Sequence, residues 1–362
     1  MKLSPSLLCL SFLSLGGLLL TANAEVDTDA ITEYLEGILE ESGAPSISVA
    51  VGLNGKIAHQ NAVGLAAMEP AIPAAPETVY RTGSIAKVIT TVAAMQLIEQ
   101  GKLSLETDVR EFVPEYPAKV WTVTVENLLT HTSGIRHYAR PDWIDGGAHS
   151  INYPSTLSAL SIFKDDPLLF EPGTDYLYST YAFTLLQAVI EAATGQDFEI
   201  YLKDNIWMPA GMAQTELERV SHPVPEFATG YIQIDAEGNI GPVEPHNVTY
   251  KYAGGGMLST PTDLVKFVQA LQNQKLLTTD SLNRMWQTPY ADLQANQAYG
   301  WRTEENNGRQ IIHMGGSISG FKSFLVFWPD SGLSIAVMSN RDNFDYRSKI
   351  AFHLGELYFE AL

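Results

Sequence analysis

The 362-residue chain predicts an α/β (α+β) architecture: one antiparallel sheet flanked by helices, with a helical lobe inserted. Three observations carry this. Residues 47–63 alternate apolar and polar side chains about Asn54-Gly55, a hairpin signature. Gln310 to Met314, Phe321 to Trp328 and Leu333 to Ser339 read as three successive strands near the other end. Between these groups, from Leu103 to about Tyr250, short helices alternate with Pro, Gly and Asp. The sheet is therefore expected from both ends of the chain, with one lobe of residues about 25–105 and 250–362 and a helical lobe of about 106–249 between them.

Residues 1–24 read as a secretory signal: Lys2, an apolar run from Leu7 to Leu20, and the small-residue site Ala22-Asn23-Ala24. The run is short for a membrane anchor, so an exported protein, periplasmic or secreted, with no stable membrane insertion is expected. Cys9, the only cysteine, lies within it. The mature chain then has no disulfide, no thiolate metal site and no cysteine nucleophile. Loss of Lys2 takes the formal charge from -19 to -20. Such an acidic chain without a long basic run argues against nucleic acid as a partner.

The remaining elements follow in order. A helix is predicted over Thr28 to Ser42, then the hairpin, then a loop rich in Pro and Ala from Met68 to Pro76. A second helix, from about Ser84 to Gln100, ends at Gly101, and a third, Tyr181 to Thr194, ends at Gly195. Ala253-Gly254-Gly255-Gly256 leads to a helix with Thr260 as cap and Pro261 at its first position. Arg347 to Leu362 reads as the closing helix.

The second helix opens with Ser84-Ile85-Ala86-Lys87. Residues three apart share a helix face, so the lysine amine stands beside the serine hydroxyl and can take its proton when kept neutral. The same serine also suits a helix cap. A nucleophile needs further groups. Tyr178-Ser179-Thr180 follows a Pro-Gly turn and places a phenol at a loop tip, a position that packing alone also explains. His313-Met314-Gly315-Gly316 lies between strand-like runs, where glycines allow close approach and free an amide for an oxyanion; a plain turn with a surface histidine is the alternative.

The order Ser-x-x-Lys, Tyr-Ser-x, His-x-Gly resembles that of the serine beta-lactamase-like family of class C beta-lactamases, D,D-peptidases and esterases. Gln100 to Leu105, Leu128 to Ile135 with its His-Thr-Ser-Gly, Ala253 to Leu264 and Tyr299-Gly300-Trp301 are similar to that family's intervening segments. The likeness spans roughly Ala44 to Asn340, and its text is most similar to the branch containing the mitochondrial beta-lactamase-like serine peptidase. It implies a beta-lactamase/transpeptidase-like fold and an acyl-enzyme on Ser84. Lys87 and Tyr178 would share base and proton-shuttle duty, and the amides of Ser84 and Gly316 would form the oxyanion hole. Thr180, His313 and Gly315 would bind a small-molecule or peptide substrate, with no cofactor and no metal.

Two departures bear on substrate. Thr180 stands where that family usually has asparagine, and His313-Met314-Gly315 where it usually has Lys-Thr-Gly. Both changes weaken recognition of a carboxylate and an amide. Peptidase or esterase action is therefore expected over efficient beta-lactam hydrolysis, the alternative being a penicillin-recognising or scaffold protein with little turnover. No Gly-x-Ser-x-Gly elbow or His-Glu-x-x-His occurs, and His131 and His137, six apart, do not share a helix face as zinc ligands would. His59, His149, His222, His246 and His353 read as surface or structural.

Overall fold

Ser46–Leu53 (β1) and Lys56–Ala67 (β2) form the expected hairpin. Asn54 (φ 50°) and Gly55 (φ 78°) both take the left-handed conformation that a two-residue turn between twisted strands favours. The computed structural model describes residues 26–142, 146–219, 224–244 and 247–361. The predicted signal segment with Cys9, and also His222 and His246, lie outside the described residues.

The loop after the hairpin contains a short strand, Ile72–Pro73 (β3), paired to the end of β2. Four strands near the other end complete the sheet: Arg302–Asn306 (β4), Arg309–Ile318 (β5), Phe321–Trp328 (β6) and Leu333–Ser339 (β7). The order is β3-β2-β1-β7-β6-β5-β4, every pair antiparallel. β1 pairs with β7, Val49 opposite Val337, so one sheet is built from both ends of the chain. β4 has a mixed polar sequence without apolar alternation, so no periodicity marks it as a strand.

Side chains alternate across the sheet and find two different layers. Ile47, Val49, Val51, Ile335 and Val337 face the helices Thr28–Ser42 (α1) and Arg347–Ala361 (α5), burying Ile31, Leu35, Ile350 and Leu354 beneath them. Ala50, Leu325, Phe327, Ala336 and Met338 face the opposite side, with Ile85–Glu99 (α2), Thr180–Thr194 (α3) and Pro261–Gln272 (α4) in the same cluster.

Every side chain of α2 from Ile85 to Leu97 is buried, which explains why this helix is apolar on all sides. Burying each of Val88, Ile89, Val92 and Leu97 contributes roughly 1.5–3 kcal/mol. α3 packs on α2 and closes at Gly195 (φ 65°). The inserted segment thus shares the core of the sheet lobe. Tyr80–Arg81, Met257–Ser259 and Glu216–Leu217 form a small antiparallel sheet that ties the approach to α2 to the chain after the glycine run. No helix among the described residues is long and apolar enough to cross a membrane.

Candidate active site

Ser84 sits at the N-terminal edge of α2, after Gly83 (φ 53°). Its side chain makes no capping bond, so the helix-cap alternative is not the one adopted. Instead its Oγ accepts a hydrogen bond from the Tyr178 hydroxyl at 2.7 Å and lies 3.3 Å from Lys87 Nζ.

Lys87 is wholly buried, and Nζ also contacts Thr180 Oγ1 at 3.2 Å and the Gly254 carbonyl at 2.5 Å. Burial pushes its pKa down to about 7. A neutral amine has two N–H donors and one lone pair. The carbonyl and the threonine oxygen take the donors, which leaves the lone pair for the Ser84 hydroxyl. Burial pushes the Tyr178 phenol up to about 12, so it stays protonated at neutral pH. Gly254 permits this approach: a Cβ there would lie 2.4 Å from Thr180 Cγ2.

Two histidines hold the tyrosine loop. His131 Nδ1 accepts the Ser179 N–H at 3.2 Å and its ring centroid lies 4.4 Å from that of Tyr178. His137 Nδ1 accepts the Thr180 N–H at 3.1 Å, its ring edge-on to Tyr178. Burial holds His131 well below its ordinary range and His137 down to about 4, so both rings are neutral acceptors. Ser179 caps α3, accepting from Ala182 N, and donates to the Arg136 carbonyl. Sequence alone sets His131 within a family-like segment and excludes the pair as zinc ligands, but assigns neither histidine this positioning. The available signal was the place of His131 in the His-Thr-Ser-Gly segment.

β5 departs from expectation. His313 to Gly316 lies within a continuous strand, and the turn comes at Ser319-Gly320. Its even-numbered residues face α2, whereas His313 lies opposite Val326 and faces the other layer. There His313 Nε2 is 3.1 Å from Glu304 Oε1 and its ring packs beside Phe324. Burial lowers its pKa, with Glu304 opposing. Gly315 faces the same layer, and a Cβ on it would point at Arg347 of α5. The His313 side chain is thus turned away from Ser84, which corrects its expected binding role.

Gly316 faces Ser84's layer, where a Cβ would meet the Thr82 carbonyl at 2.0 Å. Its amide, however, is turned into the ladder. Counting from the hairpin pair Ile318–Phe321, hydrogen-bonded pairs fall on alternate residues, so the Gly316 N–H points at β6 opposite Ser323 and the Ser317 N–H points to the open edge. Ser317 N lies 2.7 Å from where a Gly83 Cβ would stand. The strand amide next to the nucleophile is thus that of Ser317, one residue beyond the one expected.

A cleft of about 1550 Å³ opens over these groups. Ser84, Tyr178, Thr180, His137, Ser317 and Lys251 line it; His313, Gly315 and Gly316 do not. His149 also lines it, stacked on Tyr250 at 4.3 Å.

This geometry accompanies clear relationships. The bovine (Bos taurus) serine beta-lactamase-like protein LACTB, mitochondrial, is 30% identical over 67% of this chain, which spans 56% of that protein's length. Protein flp of Staphylococcus aureus is 26% identical over 93% of this chain and 67% of its own. The octameric penicillin-binding protein homologue from Pyrococcus abyssi superposes with a TM-score of 0.80 at 26% identity, covering 92% of this chain and 78% of that one. The beta-lactamase family model matches residues 31–357. With nearly all the described chain inside that match and the fold shared with a penicillin-binding protein homologue, this chain belongs to the beta-lactamase family of serine hydrolases.

Proposed function

We propose that the protein cleaves an amide or ester bond through an acyl-enzyme on Ser84. One observation carries this reading: Ser84 Oγ is held between a buried lysine amine and a protonated phenol while free of any helix-capping bond. Neutral Lys87 takes the Ser84 proton as Oγ attacks the carbonyl carbon, and the resulting oxyanion is met by the amides of Ser84 and Ser317. Collapse breaks the bond to the leaving group, which takes the Tyr178 proton. The Lys87 ammonium restores that proton, and water then releases the acyl group by the same steps in reverse.

Peptides and acyl esters suit the cleft better than beta-lactams. Thr180 offers a hydroxyl, whose oxygen already accepts from Lys87, where a side-chain amide would be needed, and the strand offers no cation to a substrate carboxylate because His313 lies behind the sheet. The signal-like residues 1–24 support action outside the cytoplasm, which N-terminal sequencing of exported protein tests. The central test is a fluorophosphonate probe followed by intact mass: one adduct on the wild type and none on Ser84→Ala. Labelling that persists in Ser84→Ala overturns the assignment, and labelling without turnover of any peptide or ester favours a binding role.

A further inference from the structure

Lys251 immediately precedes the helical turn Tyr252–Gly255 and lines the same cleft as Ser84. Only 5% of it is exposed, and its Nζ donates to no acceptor among the described residues. The amine lies instead over the rings of Tyr138, at 5.7 Å, and Tyr250, at 5.2 Å. Ring faces stabilise a cation only partly, and burial pushes this amine down to about 7, so an anion arriving from the cleft would favour its charged form.

Nearby carboxylates are committed elsewhere. Glu218 is gripped by Arg81 at 2.8 Å from Nε and 2.5 Å from Nη2. Asp142 accepts from Arg136 at 2.8 Å, the Ala139 N–H at 2.7 Å and the Tyr181 hydroxyl at 2.8 Å. Of the other ionisable groups whose charges reach Lys251, Arg81 is paired with Glu218, Lys87 is brought to about 7 by burial, and His137 and His149 are kept neutral by burial. No carboxylate described around it is therefore left to neutralise Lys251, and its open side is the cleft.

We propose that Lys251 is an anion subsite that receives a carboxylate of the substrate. The cation that β5 does not supply thus comes from the chain entering the glycine run, against the wall formed by Tyr138 and Tyr250. This deepens the hydrolase reading and rests on it for the identity of the ligand as substrate.

The test uses full-chain Ser84→Ala, in which binding is read without turnover. N-acetyl peptides of one to three residues are titrated by calorimetry, each as free acid and as C-terminal amide. For at least one length the acid should bind about ten-fold tighter or more, as a charge-assisted bond predicts. Adding Lys251→Met should bring the ratio below about two-fold. Equal affinity of acid and amide at every length, absence of binding by all of them, or a preference that survives Lys251→Met would each overturn the subsite. The variant removes a buried charge, and the acid-to-amide ratio in protein retaining Lys251 is decisive even if the variant fails to fold. Probe labelling of Ser84 is read separately, so loss of the acid preference with labelling intact refutes only the subsite.

Discussion

Lys87 Nζ stands 3.3 Å from Ser84 Oγ, with its remaining contacts on Thr180 Oγ1 and the Gly254 carbonyl. No carboxylate shares this arrangement, so burial acts on the amine unopposed and brings it to about 7. The base is then competent above that pH and protonated below it. For an uncharged ester, kcat/KM should fall about ten-fold per pH unit below about 7 and stay flat on the alkaline side, since Tyr178 holds its proton to about 12. Stability has a matching sign. Between about 7 and the ordinary lysine value of 10.5 the folded state binds fewer protons than the unfolded chain, so stability rises with pH across that window. Lys87→Met should lower activity by about 10²–10⁴-fold and reduce that rise, the remainder coming from Lys251, which burial also pushes down to about 7, as pH–rate profiles and urea unfolding from pH 6 to 10 would show.

Tyr178→Phe removes the donor at 2.7 Å from Ser84 but keeps the ring that packs against His131. Turnover should drop by about 10²-fold or more while the urea midpoint changes little. If Tyr178 and Lys87 serve one proton path, the double variant loses far less than the product of the single losses. Multiplicative losses would assign them to separate steps.

Gly254→Ala tests the close approach behind the lysine. The added Cβ meets Thr180 Cγ2 at 2.4 Å, so Thr180 or the Gly254 carbonyl must move, and both hold Lys87. Overpacking of this kind costs about 1–3 kcal/mol. Activity should fall with it. Thr180→Ser deletes Cγ2 and keeps the hydroxyl, so adding it to Gly254→Ala should restore a large part of both activity and stability. No recovery in the double variant would mean that the glycine serves another purpose.

Much of this was legible in the sequence because local rules sufficed. Helix periodicity put Lys87 beside Ser84, and the turn chemistry of Asn54-Gly55 fixed the first hairpin. The face of β5 was not legible in the same way. Two adjacent glycines carry no apolar alternation to set its phase, and a shift of one residue exchanges the faces. The phase is instead set by Ile312 and Met314, which pack toward α2, and by the turn at Ser319-Gly320. His313 consequently falls behind the sheet, and the free amide falls on Ser317. Lys251 and the two loop-holding histidines act through tertiary contacts between segments far apart in the chain, which no local pattern encodes.

His131 and His137 should act on the site only through the loop they hold. His137→Phe keeps a ring against Tyr178 but leaves the Thr180 N–H without its acceptor, and His131→Leu does the same to Ser179. Each unsatisfied buried amide costs about 1–3 kcal/mol, measurable by urea unfolding. kcat should fall as Tyr178 loses its position, with the acid limb near 7 unmoved because neither ring titrates there. A shifted limb would make one of them part of the proton path.

His313 offers the converse test. Its side chain contacts Glu304 and Phe324 on the layer away from Ser84, and the Glu304 carboxylate is substantially exposed. Such a pair contributes about 0–1 kcal/mol, so His313→Gln should change stability by no more than that. kcat/KM for esters and for carboxylate-ended peptides should stay within about two-fold of the wild type, because the sheet separates the substitution from the nucleophile. Selective loss of the carboxylate-ended substrates, by about ten-fold or more, would show that the histidine reaches the cleft and would return the strand cation to the site.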